Sequence, residues 1–515
     1  MTTAAPTASA MPANTRRALV TVCAMTATIM QALDTTVANV ALPYMQGSLS
    51  ASLDQINWVL TSYIVASAIM TAPIGWMADR FGRKRLFVAC AAGFTFASVL
   101  CAVSQNITQM VMARLLQGAF GAALVPLSQS VMLDSYPPEQ RGSAMAIWGI
   151  GVMLGPIMGP TLGGWLTDSY SWHWVFLINL PVGIVTVIGL MLFMDETKQQ
   201  THLTFDWLGF LALAVGIGGL QMMLDRGEQL GWFESKEIWI EMFISIAGFY
   251  YFFAHSFTTD KPFVRFEMFK DRNFAAACVF MVVIGIVLFG TMALVTPFMQ
   301  NLLGYPILTA GFLLGARGVG TLISMMAVGR LLKIFEARTL VFAGLSISAA
   351  TLYAMIGFTT DTTARMIVTT GVIQGMGLGL VFVPLSTVAF TTLPGHLRTS
   401  GTAMLTLVRN IGSSIGISMV IATLTNKSIV MHARLTEDVT PFNDALQQAG
   451  SVLNTATQQG LALLDQIVTQ QAMVIAYSND FKLLMVLTLV MIPFVVAIGS
   501  SRSKSTGPQE VHALD

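Results

Sequence analysis

The chain has 515 residues, 54% of them hydrophobic and 10% charged, with a formal net charge of +1. At that length and balance the apolar surface cannot be hidden in a water-soluble core, so the chain needs lipid as solvent. No basic block or acidic tail is present, which excludes nucleic acid as a partner, and Cys23, Cys90, Cys101 and Cys278 fall inside apolar runs without metal-ligand or disulfide spacing.

A polar tail from Met1 to Asn14 and the pair Arg16 and Arg17 precede the first apolar run, which lacks a small-residue cleavage site and reads as an uncleaved spanning helix. A crossing helix needs about 20 apolar residues, because its backbone amides must be satisfied within it. Such runs predict fourteen spans, at 18–42, 56–77, 86–103, 108–133, 143–166, 173–194, 206–225, 237–256, 274–300, 307–332, 339–358, 365–392, 400–425 and 479–500. Lys and Arg support the count: they concentrate at 80–85, 265–272 and 330–338, whereas the alternate loops hold only Arg226, Lys236, Arg365, Lys427 and Arg434. A missed span would reverse this bias, and cytoplasmic loops carry the excess, so both termini are expected in the cytoplasm.

A repeat is visible at an offset of about 257 residues: Gln117-Gly118 recurs as Gln374-Gly375, Pro137 as Pro394 and Arg141 as Arg398. Two halves built on one template place a transport path at their interface. The expected organisation is an all-α membrane protein with a cytoplasmic tail 1–17, a six-helix bundle 18–194, two inserted helices and their connection within 195–273, a second six-helix bundle 274–500 carrying a periplasmic loop 426–478, and a cytoplasmic tail 501–515.

Several residues in this frame bear chemistry. Asp34 lies about eight residues, about 12 Å, from the outer end of its span, and Arg114 about six residues, about 9 Å, from the outer end of its own. An intramembrane carboxylate is a functional candidate by default. Desolvation and a nearby arginine act on it in opposite senses, so a gate that changes water access and pairing could load and unload one proton per cycle; a static ion pair is the structural alternative. Arg317 and Arg409 sit about ten residues into their spans, and the second half is expected to offer no intramembrane carboxylate to match them. They would suit anionic amphiphiles or pair with polar groups across the bundle. Gly151, Gly155, Gly159 and Gly163 recur on one helix face, with Pro156 and Pro160 removing backbone donors, which gives a smooth, bendable contact stripe. The segment 426–478, with Leu446, Leu453, Leu461, Leu464, Ile467 and Val468 at helical spacing, is expected to form amphipathic helices outside the bilayer. Gly412-Ser413-Ser414-Ile415-Gly416 fits a nucleophile-elbow pattern but sits inside a span, where it reads as helix packing; no P-loop and no His-Glu-x-x-His are present. An enzyme is therefore not expected.

The loop after the second span reads Gly75-Trp76-Met77-Ala78-Asp79-Arg80-Phe81-Gly82-Arg83-Lys84-Arg85. It resembles the signature loop of the major facilitator superfamily. The run from Leu33-Asp34-Thr35-Thr36 to Pro43 resembles the signature of its fourteen-span drug:proton antiporters, Arg114 with Gln117-Gly118 and Gly121 its proton-coupling motif, and the Gly151 to Gly164 stretch its antiporter motif. With Asn179-Leu180-Pro181, Asp225-Arg226-Gly227 and the long outer segment containing Thr440-Pro441-Phe442-Asn443, the chain is most similar to EmrB-type subunits of tripartite multidrug pumps. In the second half the signature loop is reduced to Gly329-Arg330 with Lys333 and Arg338, and no gating role is assigned to it.

The resemblance implies a major facilitator fold in the inner membrane and export of amphipathic small molecules. The coupling ion would be the proton, carried by Asp34 with Arg114, and no cofactor is expected. Thr35, Asn39, Gln117, Arg317, Gln374 and Arg409 would line the substrate cavity. Gly75, Asp79, Arg80, Gly82, Arg83 and the Gly-Pro stripe would serve conformational change. An EmrA-like periplasmic adaptor and a TolC-like outer-membrane channel would be partners. Two other readings remain open from the residues: an uptake symporter, since fold does not set direction, and an integral-membrane enzyme or channel.

Overall fold

The structure, a computed structural model, describes residues 12–499 except 198, 201, 260–261, 438 and 441–456. The tail residues before 12 and after 499, and the calls on Pro441, Phe442, Asn443, Leu446 and Leu453, lie outside the described residues.

All of the expected spans are present as helices. In chain order they are α1 (Ala13–Ser48), α2 (Leu53–Thr71), α3 (Ile74–Phe81), α4 (Arg83–Ala102), α5 (Ile107–Gly121), α6 (Leu124–Ser135), α7 (Arg141–Ser169), α8 (His173–Leu177), α9 (Asn179–Phe193), α10 (Trp207–Arg226), α11 (Lys236–Thr258), α12 (Arg272–Pro297), α13 (Ile307–Ile334), α14 (Ala337–Ile356), α15 (Ala364–Ala389), α16 (Arg398–Glu437) and α17 (Gln458–Met491). Among the described residues thirteen helices are long and apolar enough to cross a membrane, and α2 with α3 makes a fourteenth span bent by 58°. The bend falls at Pro73, which cannot donate to the preceding turn. Caps fix several starts: Ser52 and Gln55 form a capping box at α2, Asn106 caps α5, and Asp271 caps α12. Exposed apolar residues such as Ile184, Val185, Ile188 and Leu192 on α9 would be a liability in water and form the surface a peripheral helix turns to lipid.

The spans form two six-helix halves, α1 to α9 and α12 to α17. They meet along α7 and α13, where Gly329 packs on Ser143 and Gly311 lies against Pro160, and α15 adds a stack of Phe382 on Trp148 of α7 at 5.9 Å. Thus Gly329, the remnant of the second signature loop, is a contact between halves. A second seam joins α16 to α2, α3 and α6. The inserted pair, α10 and α11, flanks that seam and touches both sides: Asp225 accepts from Thr61 of α2, and Ser414 of α16 donates to Gln221 at 2.9 Å.

The segment 426–478 departs from expectation. Among its described residues the helices are continuous with the spans: α16 continues about twelve residues past 425, about 18 Å, and α17 begins about twenty-one residues before 479, about 31 Å. Neither stretch contains a proline, and the single glycine, Gly460, sits in the first turn of α17, where Thr457 caps its amide. The two extensions are linked by His432 and Asp465 at 3.0 Å, with Leu464 buried and Leu461 and Ile467 exposed.

Candidate functional site

The apolar interior of the first half is divided. One cluster gathers Met30, Tyr63, Phe87 and Phe94 toward the end bearing the Gly75 to Arg85 loop, and another gathers Val37, Val59, Cys101 and Phe176 toward the opposite end. Between them lies a polar layer centred on Asp34, whose side chain is wholly buried. Its Oδ2 accepts from Arg114 Nη1 at 2.7 Å, and its Oδ1 from Gln117 Nε2 at 2.7 Å and Asn179 Nδ2 at 3.1 Å. Arg114 also donates to the Val59 carbonyl at 3.0 Å and to Gln117 Oε1 at 2.8 Å, and lies 4.2 Å over the Tyr63 ring. Ser98 Oγ accepts from Asn179 at 2.9 Å and Gln117 at 3.1 Å. Five helices thus contribute to one satisfied network around a carboxylate, which is what a buried charge requires. Gly118 permits it: a Cβ there would collide with the Tyr63 carbonyl, so only glycine lets α5 approach α2 closely enough.

Gln117 therefore spends its amide on Asp34. Thr35 is half-buried and donates to the Ala32 carbonyl at 2.8 Å, and Asn39, exposed one turn on, donates to the Thr35 carbonyl at 3.3 Å.

The repeat carries part of this arrangement into the second half. At the same 257-residue offset, Thr291 stands where Asp34 does, and Gln374 donates to it at 3.4 Å. Gly375 lies on the Arg317 carbonyl as Gly118 lies on that of Tyr63. The charge is inverted: Arg317 is 6% exposed, donates to the Leu288 carbonyl at 3.3 Å, and has Nε and Nη2 without hydrogen-bond partners. A small cavity of about 20 Å³, lined by Met153, Leu288, Met292 and Leu314, adjoins it. Arg409 reaches Asn410 at 3.4 Å and leaves Nε unpartnered. Neither arginine forms an ion pair among the described residues.

The signature loop forms the seal between halves. Gly75 packs on Ser400, and Asp79 accepts from Arg265 at 2.8 Å, tying α3 to the connection after α11. Gly82 has φ of +87°, and a Cβ there would meet the Glu196 carboxylate that receives the first amides of α4, from Lys84 and Arg85. Arg83 pairs with Asp134 of α6, and Asp134 pairs in turn with Arg398 of α16 in the other half. Ser130 and Thr399 are 2.9 Å apart beside them. Arg80 faces away from this network. The glycines of α7 turn toward their own half: Gly151 faces Met25, Gly155 Ala32, Gly159 Thr36 and Gly163 Val37, with Thr36 donating to the Gly155 carbonyl at 3.0 Å. The stripe is thus the bed of the helix that carries Asp34. Pro156 belongs to the same turn of α7, and Pro160 faces α13.

Reasoning from sequence missed Ser98 and Asn179 around Asp34, and Asp134 and Arg265 in the seal. Asn179, a polar residue at a span boundary within Asn-Leu-Pro, carried a signal; Ser98 did not. The expectation that the second half holds no intramembrane carboxylate is also corrected. Asp480, just inside the last span, is wholly buried, and neither of its carboxylate oxygens has a hydrogen-bond partner. Its neighbours on α17, Tyr477 and Phe481, pack on Phe298 and Phe358. It sat at the edge of the expected span and was masked by the boundary.

Two repeated halves meeting along paired seams, with a buried ion pair in one of them, define a polytopic membrane transporter. The chain belongs to the major facilitator superfamily, whose family model matches residues 24–417. It is 33% identical to the multidrug export protein EmrB of Escherichia coli K12 over 482 residues, covering 93% of this chain and 94% of that one. It is 33% identical to the fatty acid resistance protein FarB of Neisseria gonorrhoeae over 473 residues, covering 91% and 93%. Among solved structures, the proton:xylose symporter XylE matches with a TM-score of 0.59 at 13% identity, covering 95% of this chain and 98% of that one, a likeness of fold.

Proposed function

We propose that the chain exports amphipathic small molecules in exchange for protons, with Asp34 as the proton carrier and Arg114 as its exchangeable partner. The observation that carries the reading is the buried carboxylate held by Arg114, Gln117 and Asn179 on the helix bedded against the α7 glycines. Sliding of α1 on that smooth stripe would lengthen the Asp34–Arg114 contact and admit water, and a proton would take the place of the guanidinium. Relatives named for multidrug export and fatty acid resistance support the direction of transport.

The basic end, with its Arg83–Asp134–Arg398 latch, is the cytoplasmic one on this reading, and the α16–α17 extensions project into the periplasm. There they offer a helical hairpin to an EmrA-like adaptor that would lead to a TolC-like outer-membrane channel, the chain being the inner-membrane subunit. Arg317 and Arg409, desolvated cations without carboxylates, favour anionic amphiphiles as substrates.

The test is proton flux in proteoliposomes holding a pH gradient, on addition of cationic, neutral and anionic amphiphiles. Substrate-triggered proton release that vanishes in Asp34→Asn supports antiport; substrate and proton moving together identify an uptake symporter instead. Arg317→Gln should weaken anionic substrates about tenfold, the worth of one charge-assisted hydrogen bond, and leave neutral ones unchanged. Equal loss for both classes removes the anionic assignment.

A further inference from the structure

Behind α3, on the face turned away from the seal, lies a cavity of about 650 Å³ between α2, α3, α4 and α5. The Pro73 bend creates it by swinging α3 off the line of α2. Met70, Ile74, Met77, Leu86, Leu116 and Phe120 supply apolar walls, and alanines including Ala89 and Ala119 keep it open. Its rim includes the exposed Phe81 and Leu116, so it opens on the surface that faces lipid.

Among the described residues that line it are two cations and no carboxylates. Arg80 forms no ion pair among the described residues, and its Nη1 is buried without a hydrogen-bond partner. Arg85 is largely exposed and only loosely paired with Glu196 at 3.7 Å. An apolar slot that ends in one desolvated guanidinium nitrogen, with a second, exposed guanidinium beside it at the polar edge of a span, complements an acyl chain that ends in an anion. The volume suits one chain, and the mouth opens to the bilayer, with the apolar cluster around Tyr63 and Phe94 between the slot and the Asp34 layer.

We propose that this slot binds an anionic phospholipid of the surrounding leaflet, with its phosphate on Arg80 and Arg85 and one acyl chain along Ile74, Met77 and Phe120. Bound there, the lipid backs α3, whose opposite face presents Gly75 to Ser400 and Asp79 to Arg265. It packs α3 against α16 and favours the sealed arrangement of the halves.

Native mass spectrometry of the full chain in non-ionic detergent, mixed with phosphatidylglycerol or phosphatidylethanolamine of identical acyl chains, tests this. At least five-fold greater retention of phosphatidylglycerol is expected. The double change Arg80→Gln with Arg85→Gln should abolish the preference, and Ala89→Phe, which fills the slot without altering charge, should reduce retention at least five-fold. Leu116→Trp is a second filling variant at an exposed position, should Ala89→Phe not yield monodisperse protein. Equal retention of the two lipids, or retention unchanged by filling the slot, overturns the proposal. Displacement of phosphatidylglycerol by equimolar oleate would also overturn it, by assigning the slot to a free single-chain amphiphile.

Discussion

Replacing Asp34 and Arg114 separately and together distinguishes a coupling pair from a structural one. Asp34→Leu leaves Arg114 buried with the Val59 carbonyl, Gln117 and the Tyr63 ring, and no counter-charge. Arg114→Met leaves Asp34 with the amides of Gln117 and Asn179. Removing one member of a buried pair costs about 3–5 kcal/mol, whereas replacing both with apolar groups of similar volume is often neutral. In the double variant the remaining penalty is that of amides left short of partners, about 1–3 kcal/mol for each unsatisfied group, and Ser98 still receives Gln117 and Asn179. The double variant is therefore expected to be no less stable than either single one, with a coupling energy of at least about 3 kcal/mol. Reversible denaturant unfolding in mixed micelles reads this as a midpoint recovered in the double variant. Proton exchange should stay absent in all three. Additive losses of stability would show that the two charges do not interact as the geometry requires, and exchange persisting in the double variant would remove Asp34 as carrier.

Gly159→Leu should drive its side chain into Thr36, cost about 1–3 kcal/mol and slow exchange, while Gly47→Ala, with no neighbour to meet, should raise stability by about 0.5–1 kcal/mol. Unfolding midpoints of the two variants check the contrast, and equal effects would deny the α1–α7 stripe its role. Asp134→Asn should weaken the tie between Arg83 and Arg398, lowering the yield of a disulfide engineered by Ser130→Cys with Thr399→Cys; an unchanged yield would mean the latch does not hold the seal. Asp480→Leu should raise the unfolding free energy by about 1–3 kcal/mol, read as a higher midpoint, because it removes a buried carboxyl that no donor among the described residues satisfies, and a loss of stability would reveal a partner.

The spans were legible because a bilayer imposes a length and a hydropathy on each helix, and the alternation of Lys and Arg checks the count. Asp34 and Arg114 were legible because a charge in a membrane helix is conspicuous. What surrounds them was not: Ser98 is an ordinary residue in an apolar run, and only the packing of α4 against α5 and α9 brings it to the carboxylate. The partner of Asp79 was equally hidden, since Arg265 lies 186 residues away in a connection whose path no local pattern reveals. That the helices of 426–478 continue α16 and α17 was missed, because a falling hydropathy marks where the bilayer ends, whereas a helix ends only where its backbone is interrupted.

The repeat makes the difference between halves informative. Glutamine and glycine recur at 117–118 and 374–375, and in each half the glycine lets one helix lie on a carbonyl of the next. Had both halves kept the acid and its arginine, two equivalent buried pairs would open and close together. Instead the acid position becomes Thr291, and the arginine moves to 317, where its neighbours are carbonyls and apolar side chains. A guanidinium cannot give up its proton at any physiological pH, so Arg317 cannot act as a proton carrier in its own right. Its consequence is a fixed positive charge facing a first half whose own charge is compensated. On the proposed function, a transporter so divided would sense protons in one half and the charge of its cargo in the other. The two would then meet through rocking of the halves across the α7–α13 seam, which is the coupling that the proposed exchange requires.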